Sequence, residues 1–436
     1  MVLTLVVSGI TVLGIILSLL LKPNIKIKGH SFGLYWMIAV VGAFTLLLSG
    51  CIDFDTAWAG LTSSNAINPL KLLLIFFSMT ALSVFLDEMG FFEYLASLAI
   101  KRAKSNQVVL FRYLYIVVSI LTVFTSNDVV ILTFTPFILY FAKGARVNPM
   151  PYLISEFVAA NTLSMTLIIG NPTNMYLASG AGIDFLSYFK IMALPSACSA
   201  FCAYFVLKLI FHKFLHEPIM VHMHKVEIEN RFMLITGIIH LSLCIILLTV
   251  ATYVGIEMWY VCLFSVLSLI VVTSVYLIVK RMKPTVFLRC LHRLPYELAP
   301  FVISMFVVAL ALHECGFTEL VCKTLGVDNT VPIYGVISTI GANAFNNIPM
   351  SVLFSDIIGG LTGAVRLGAL YATVIGSNIG AYLTPIGALA GIMWLGILKK
   401  RGQDLSFVQF MSYGVRVAIP VLTVALLGLA ISLTIF

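Results

Sequence analysis

The chain has 436 residues, of which 61% are hydrophobic and only 10% charged, and its mean hydropathy is +1.07. Soluble domains carry roughly 45–50% apolar and about 25% charged residues, so a water-soluble globular fold is excluded. The formal charge of +8 does not point to nucleic acid, because the basic residues stand in short clusters between apolar runs, as they do in membrane proteins.

A spanning helix needs about 20 mostly apolar residues. In chain order such runs fall at 2–21, 32–52, 69–89, 150–180, 189–212, 232–252, 257–280, 298–320, 365–398 and 410–435. The first lacks a basic flank and a small-residue cleavage site, and reads as a retained helix rather than a signal peptide. Two further apolar segments, 113–142 and 331–356, are interrupted near their middles by polar residues. The Lys/Arg-bearing loops 22–28, 101–112, 143–146, 208–231, 280–293 and 399–401 are expected in the cytoplasm, and the loops 51–68, 180–188, 252–257 and 356–364 outside. Both flanks of 113–142 are then cytoplasmic and both flanks of 331–356 external, with Lys323 and Arg366 as mild exceptions. The two segments are predicted as re-entrant hairpins from opposite faces, with both chain termini outside the cell membrane.

The chain also repeats. Leu86-Asp87-Glu88-Met89-Gly90-Phe91-Phe92-Glu93 is echoed by Leu312-His313-Glu314-Cys315-Gly316-Phe317-Thr318-Glu319. Ser126-Asn127-Asp128 is answered by Asn346-Asn347, and Gly170-Asn171-Pro172-Thr173-Asn174 by Leu383-Thr384-Pro385-Ile386-Gly387. The landmarks keep their order while the predicted topology reverses direction. The expected fold is an all-α polytopic membrane protein of about 10 spanning helices, with two inverted repeats, two opposed re-entrant hairpins and two broken transmembrane helices. The division reads as N-terminal helices 1–60, first repeat 61–231, linking helices 232–297 and second repeat 298–436.

Non-helical backbone at membrane depth is tolerated only where protein or a water-filled cavity satisfies it. Four breaks meet that description, and each joins amide or hydroxyl side chains to Gly, Pro or an acid. They hold the candidate substrate- and ion-binding residues: Ser126, Asn127 and Asp128; Asn343, Asn346 and Asn347; Gly170, Asn171, Pro172, Thr173 and Asn174, with Asn161 before them; and Asn378, Thr384 and Pro385. Asn both donates and accepts, so such a site suits a neutral polyhydroxyl solute or a coordinated ion. The competing reading is of helix kinks held by polar contacts. Asp128 stands out, because an acid at mid-bilayer costs about 2.5–3.5 kcal/mol on insertion scales. A bound proton or cation lowers that cost, which makes Asp128 the candidate proton carrier, against a purely structural carboxylate. Glu314, His313 and Glu156 are weaker candidates of the same kind.

The eight cysteines form no CxxC, and the pairs Cys198/Cys202 and Cys315/Cys322 read as small apolar packing rather than soft-metal ligands. The loop bearing His212, His216, His222 and His224 reads as solvated, with metal binding as the alternative. The chain contains none of the common hydrolase, zinc-protease or nucleotide-binding motifs. No cofactor or metal is implied, and the chain does not read as an enzyme.

Segments 85–94 (FLDEMGFFEY), 127–136 (NDVVILTFTP), 346–353 (NNIPMSVL) and 374–395 (VIGSNIGAYLTPIGALAGIMWL) resemble the arsenite/antimonite efflux permeases of the ArsB type. Those belong to the ion transporter superfamily, with its sodium/proton antiporters and dicarboxylate carriers. The resemblance runs through nearly the whole chain. It implies opposed hairpins, a homodimer, and efflux driven by the proton gradient, with or without a partner ATPase. This chain departs from the pattern at Asn161 and Asn378, where the permeases usually carry acids, and at Tyr382, where they have a lysine. The segment 170–174 is closer to the wider superfamily. The resulting expectation is a secondary transporter in the lipid bilayer exporting trivalent arsenic or antimony hydroxide in exchange for protons. The alternatives are a sodium- or proton-coupled carrier of an organic or inorganic anion, in which Ser126, Asn127 and Asn346 help hold sodium, and a membrane-embedded enzyme using the histidine loop.

Overall fold

The computed structural model describes residues 1–21, 24–27, 30–62, 68–103, 106–217, 228, 230–403 and 405–436. The chain runs through α1 (Val2–Leu21), a small hairpin of β1 (Asn24–Ile27) and β2 (His30–Gly33), α2 (Leu34–Leu48), α3 (Phe54–Thr62), α4 (Pro69–Glu88), α5 (Phe91–Ala103), α6 (Gln107–Phe124), α7 (Asn127–Ala145), α8 (Met150–Leu163), α9 (Pro172–Gly180) and α10 (Phe185–Ile210). A single turn, α11 (His212–Leu215), leads to α12 (Arg231–Val254), α13 (Met258–Val279), α14 (Thr285–Arg293), α15 (Leu298–Glu314), α16 (Phe317–Leu325), α17 (Thr330–Phe345), α18 (Asn347–Gly359), α19 (Gly363–Gly380), α20 (Leu389–Lys400) and α21 (Phe407–Ile435). The starts are written in the sequence. Asn68, Asn106, Asp184, Asn230 and Ser406 each accept a backbone N–H at the head of the following helix, which satisfies donors that a helix cannot pair itself.

Among the described residues, eight stretches are long and apolar enough to cross a membrane, and α1 and α2 add shorter apolar helices. One of the eight, Thr285–Glu314, is bent into α14 and α15. The chain is a multi-pass, essentially all-α membrane protein. The only strands among the described residues are the antiparallel pair β1 and β2, with Asn24 opposite Gly33 and Ile27 opposite His30.

The element order runs twice through one succession. α1–α10 and α12–α21 each give two apolar helices, a short helix, a further apolar helix, another short helix, a hairpin pair, a broken pair and a long closing helix. Packing follows the same rule: α6 lies on α8 as α17 lies on α19, and the closing helices α10 and α21 lie on each other. The repeats also exchange elements. α2 packs on α15 and α13 on α4, while the hairpin arms α7 and α18 reach across to α20 and α9. The inverted repeats are thus interleaved around the four breaks, and by element order each also takes in the helices of 1–60 or 232–297 that the expected division set apart.

The broken helices are the core. Every residue of α8 from Pro151 to Leu163 is buried, and so is every residue of α19 from Gly368 to Gly380. α12 and α13 expose Ile235, Ile239, Leu243, Ile246, Phe264 and Val271 instead, the apolar outer surface expected against lipid. At the α17–α19 contact the backbones nearly touch: a Cβ on Gly376 would lie 2.0 Å from Ser338 Oγ and 2.5 Å from Gly335 O. Small residues permit this approach, the usual basis of helix association where no hydrophobic force acts between helices.

The short helices α3, α14 and α16 lie in stretches expected to be loops or span ends, and α5 fills the stretch left unassigned between the span 69–89 and the loop 101–112. α14, TVFLRCLHR, mixes apolar and basic residues in one helical turn after another, so its amphipathic helix is averaged away in a hydropathy window. The expected span 298–320 ends earlier, at Glu314, because Gly316 adopts φ 78° and redirects the chain into α16.

Candidate functional site

The two hairpin tips differ in backbone. At the first, Thr125 and Ser126 are extended between α6 and α7. At the second, Asn346 alone separates α17 from α18, at φ 70° and ψ 150°. The first hairpin runs 107–145, beyond the expected 113–142 at both ends, and its arms of 18 and 19 residues span about 27 and about 28 Å at 1.5 Å per residue.

The amides of the second repeat are largely consumed in holding these breaks. Asn343 Nδ2 donates to Thr339 O (2.8 Å) and Gly380 O (2.9 Å), while its Oδ1 accepts from Thr384 N (3.0 Å) and Thr384 Oγ1 (2.7 Å). Asn346 Nδ2 donates to Ile386 O (2.9 Å), and Asn347 N donates to Gly387 O (3.1 Å). Pro385 is buried in the same turn. Hairpin and broken helix are thereby tied together.

Across the repeat interface Asn378 is the hub. Its Oδ1 accepts from Ser164 Oγ (2.8 Å) and Asn171 Nδ2 (2.9 Å), and its Nδ2 donates to Asn174 Oδ1 (2.7 Å). Asn171 Oδ1 caps α9 through Thr173 N (3.1 Å), next to Pro172 at the first helical position. Asn174 Nδ2 closes the break on Ser164 O (2.8 Å), and Ser377 Oγ donates to Thr173 Oγ1 (2.8 Å). Gly170 is required there, since a Cβ would lie 2.2 Å from Ser164 O. The three departures from the permease pattern share this neighbourhood. Ser164 Oγ lies 2.8 Å from both Asn161 O and Asn378 Oδ1 and shares its one hydrogen between them, and Thr162 Oγ1 donates to Tyr382 OH at 3.4 Å. Each of the three is neutral and fully or almost fully buried.

The first hairpin tip is different. Asn127 Nδ2 donates to Asn161 Oδ1 (3.2 Å), but Asn127 Oδ1 and Ser126 Oγ are buried with no hydrogen-bond partner among the described residues. Asp128 has no hydrogen bond or ion pair among them either. It sits half-buried in the first turn of α7.

Asp128 faces a cavity of about 730 Å³, whose wall also holds Asn127, Asn171, Pro172 and Asn347. The cavity therefore gathers residues from both hairpin tips and the first broken helix. Asn161, Asn174, Asn343, Asn346, Asn378 and Thr384 stand behind that wall, in the bonds just described. The wall adds residues not singled out by sequence: Tyr35, Trp36, Thr80, Arg293 and Glu297. Trp36 Nε1 and Thr80 Oγ1 are buried there without partners among the described residues, one a donor and the other both donor and acceptor. Glu297 is occupied, accepting from Gly33 N (2.9 Å) and Tyr35 OH (3.2 Å). Arg293 is the one Lys or Arg of the wall, and it is paired with Asp87 (2.5 Å) and Glu88 (2.8 Å). Those two acids are neutralised by Arg293 and Arg289. The signal for Thr80 and Trp36 was present only as polar atoms inside apolar runs. The pairing of Asp87 with α14 had none.

His222 and His224 lie outside the described residues. His216 Nδ1 contacts His212 O at 2.8 Å, and no group of three metal-binding side chains occurs among the described residues. All eight cysteines are free thiols.

Residues 34–369 match CitMHS, the citrate transporter family. This chain belongs to the CitMHS family. Over 422 residues this CitMHS chain is 25% identical to the arsenical pump membrane protein of Escherichia coli, covering 92% of this chain and 94% of that one. A putative arsenical pump membrane protein of Bacillus subtilis is 24% identical, with 85% and 88% covered. The YdaH transporter of Alcanivorax borkumensis shares the fold at 14% identity, with a TM-score of 0.58 over 99% of this chain and 97% of that one. The CitMHS chain is a membrane transporter.

Proposed function

We propose that the chain is a proton-coupled exporter of trivalent arsenic or antimony hydroxide in the cell membrane, with Asp128 as the carboxyl that exchanges the proton. One observation carries this reading. The cavity offers unpartnered neutral groups and one unpaired carboxylate beside them, while its single Lys or Arg is already neutralised. A polyanion entering such a site meets no free fixed cation and keeps its desolvation cost. A neutral trihydroxide of similar polarity to water finds donors and acceptors in Trp36, Thr80 and Asn127. The full-length likeness to arsenical pumps supports the same solute class. The cavity wall includes the exposed His292 and Tyr296, at the end of the basic 280–293 loop. By the charge rule that loop is cytoplasmic, which suits uptake of a solute for export.

A second reading has its own support. Ser126 Oγ and Asn127 Oδ1 are adjacent buried oxygens without donors, the kind of ligand a small hard cation takes. With the match to a citrate transporter family, they favour a sodium-coupled anion carrier. In that case Asn346 contributes less than expected, since its amide is already bonded to Ile386 O. Flux in proteoliposomes separates the two. Proton-driven arsenite accumulation that is lost in Asp128→Asn is the expected result, and sodium-driven citrate uptake without arsenite movement replaces it with the second reading.

A further inference from the structure

Glu156 is a carboxyl that the site above does not use. It lies in the middle of α8, is 1% exposed, and forms no ion pair among the described residues. Its polar neighbour is Thr135 on the hairpin arm α7, whose Oγ1 is 3.0 Å from Oε1 and 3.1 Å from Oε2. That hydroxyl also lies 2.7 Å from Ile131 O, the carbonyl one turn back.

A hydroxyl has one hydrogen to give. If it goes to Ile131 O, both carboxyl oxygens face a lone pair, and contact at 3.0 Å is favourable only when the acid carries the hydrogen and donates it to Thr135. If it goes to Glu156 instead, a fully buried carboxylate is left with no counter-charge, an arrangement that a protein interior strongly disfavours. The neutral acid is the consistent arrangement. α6, α7, α10 and α19 pack against α8, and no ion pair to Glu156 comes from any of them among the described residues. Trp394 on α20 is near enough to interact with the carboxyl. Its indole lies 4.9 Å from the ring of Phe157, and its buried Nε1–H has no other hydrogen-bond partner among the described residues. A donor from the second repeat thus stands beside the carboxyl. α7 also borders a groove of about 290 Å³, lined by Thr133, Pro136, Asp87, Glu93 and Arg401. This groove reaches the residues on either side of Thr135.

We propose that Glu156 is a second proton-binding site of the transport cycle, separate from Asp128. It holds its proton while α7 and α20 are packed as seen here, and exchanges it with the groove when they part. The site joins three elements of both repeats, α7, α8 and α20, so a change in its charge bears on the contact through which the hairpin arm of one repeat meets the broken helix of the other. The proposal rests on the proton-coupled reading.

The test uses the full chain in proteoliposomes with arsenite as the probe. Infrared spectra should contain a protonated-carboxyl band that disappears in Glu156→Gln and moves to higher frequency in Thr135→Val, where the hydrogen-bond partner is gone. Glu156→Gln should bind arsenite normally but move one proton fewer per arsenite, with a flattened pH profile. An unchanged band together with an unchanged proton count in Glu156→Gln overturns the assignment while leaving the role of Asp128 intact. Should Glu156→Gln fail to assemble, a band that does not move in Thr135→Val overturns it. Wild-type arsenite transport with no proton movement overturns the coupling reading and this one with it.

Discussion

The two hairpin tips occupy equivalent places in the repeats, yet their polar groups are spent differently. At the second tip, Asn343 and Asn346 bond to Gly380 O, Thr384 and Ile386 O, so the amides are fasteners. At the first, Ser126 Oγ and Asn127 Oδ1 are left without partners, and Asp128 faces the cavity. Repetition of a motif therefore fixes where the backbone breaks, and does not fix which break is free to bind. An amide whose donors and acceptors are all paired to the protein has little left for a solute, so the binding chemistry concentrates on the first tip.

Substitutions can break this contrast at graded cost. The largest loss is expected for Asn378→Ala, which strips partners from Ser164, Asn171 and Asn174 at once. At about 1–3 kcal/mol for each buried polar group left unpaired, the detergent-solubilised protein should lose more than about 3 kcal/mol, read as a fall in its unfolding temperature. Asn343→Ala comes next, releasing Thr384 and Gly380 O, and should cost about 2–3 kcal/mol by the same measurement. Asn346→Ala removes one bond to Ile386 O and should cost about 1–2 kcal/mol, with solute affinity little changed. Asn127→Ala breaks only the bond to Asn161, so it should cost about 1–2 kcal/mol, less than Asn343→Ala, while solute or ion dependence shifts strongly. Equal stability losses at Asn343 and Asn127 would erase the distinction between the tips.

Much of this architecture was legible in the sequence. The breaks at Ser126, Asn171, Asn346 and Thr384 announce themselves as polar residues beside Gly, Pro or Asp inside apolar runs, because bilayer-depth backbone needs such help. The doubled order of landmarks gave the repeats. The direction of the amides was not legible, since whether Asn343 faces Thr384 or the cavity depends on partners about 40 residues away and no local pattern records it. The amphipathic helices α5 and α14 were hidden for another reason: their mixed composition resembles a loop when only hydropathy is averaged. The wall residues Trp36 and Thr80 look like ordinary members of apolar spans until the fold leaves their polar atoms without partners.

The central claim concerns Asp128, and flux in proteoliposomes made from the wild type and Asp128→Asn tests it most directly. With an imposed proton gradient, the wild type should accumulate arsenite, and the variant should assemble and bind arsenite but fail to concentrate it at any pH. Proton-driven accumulation that persists in Asp128→Asn would contradict the account.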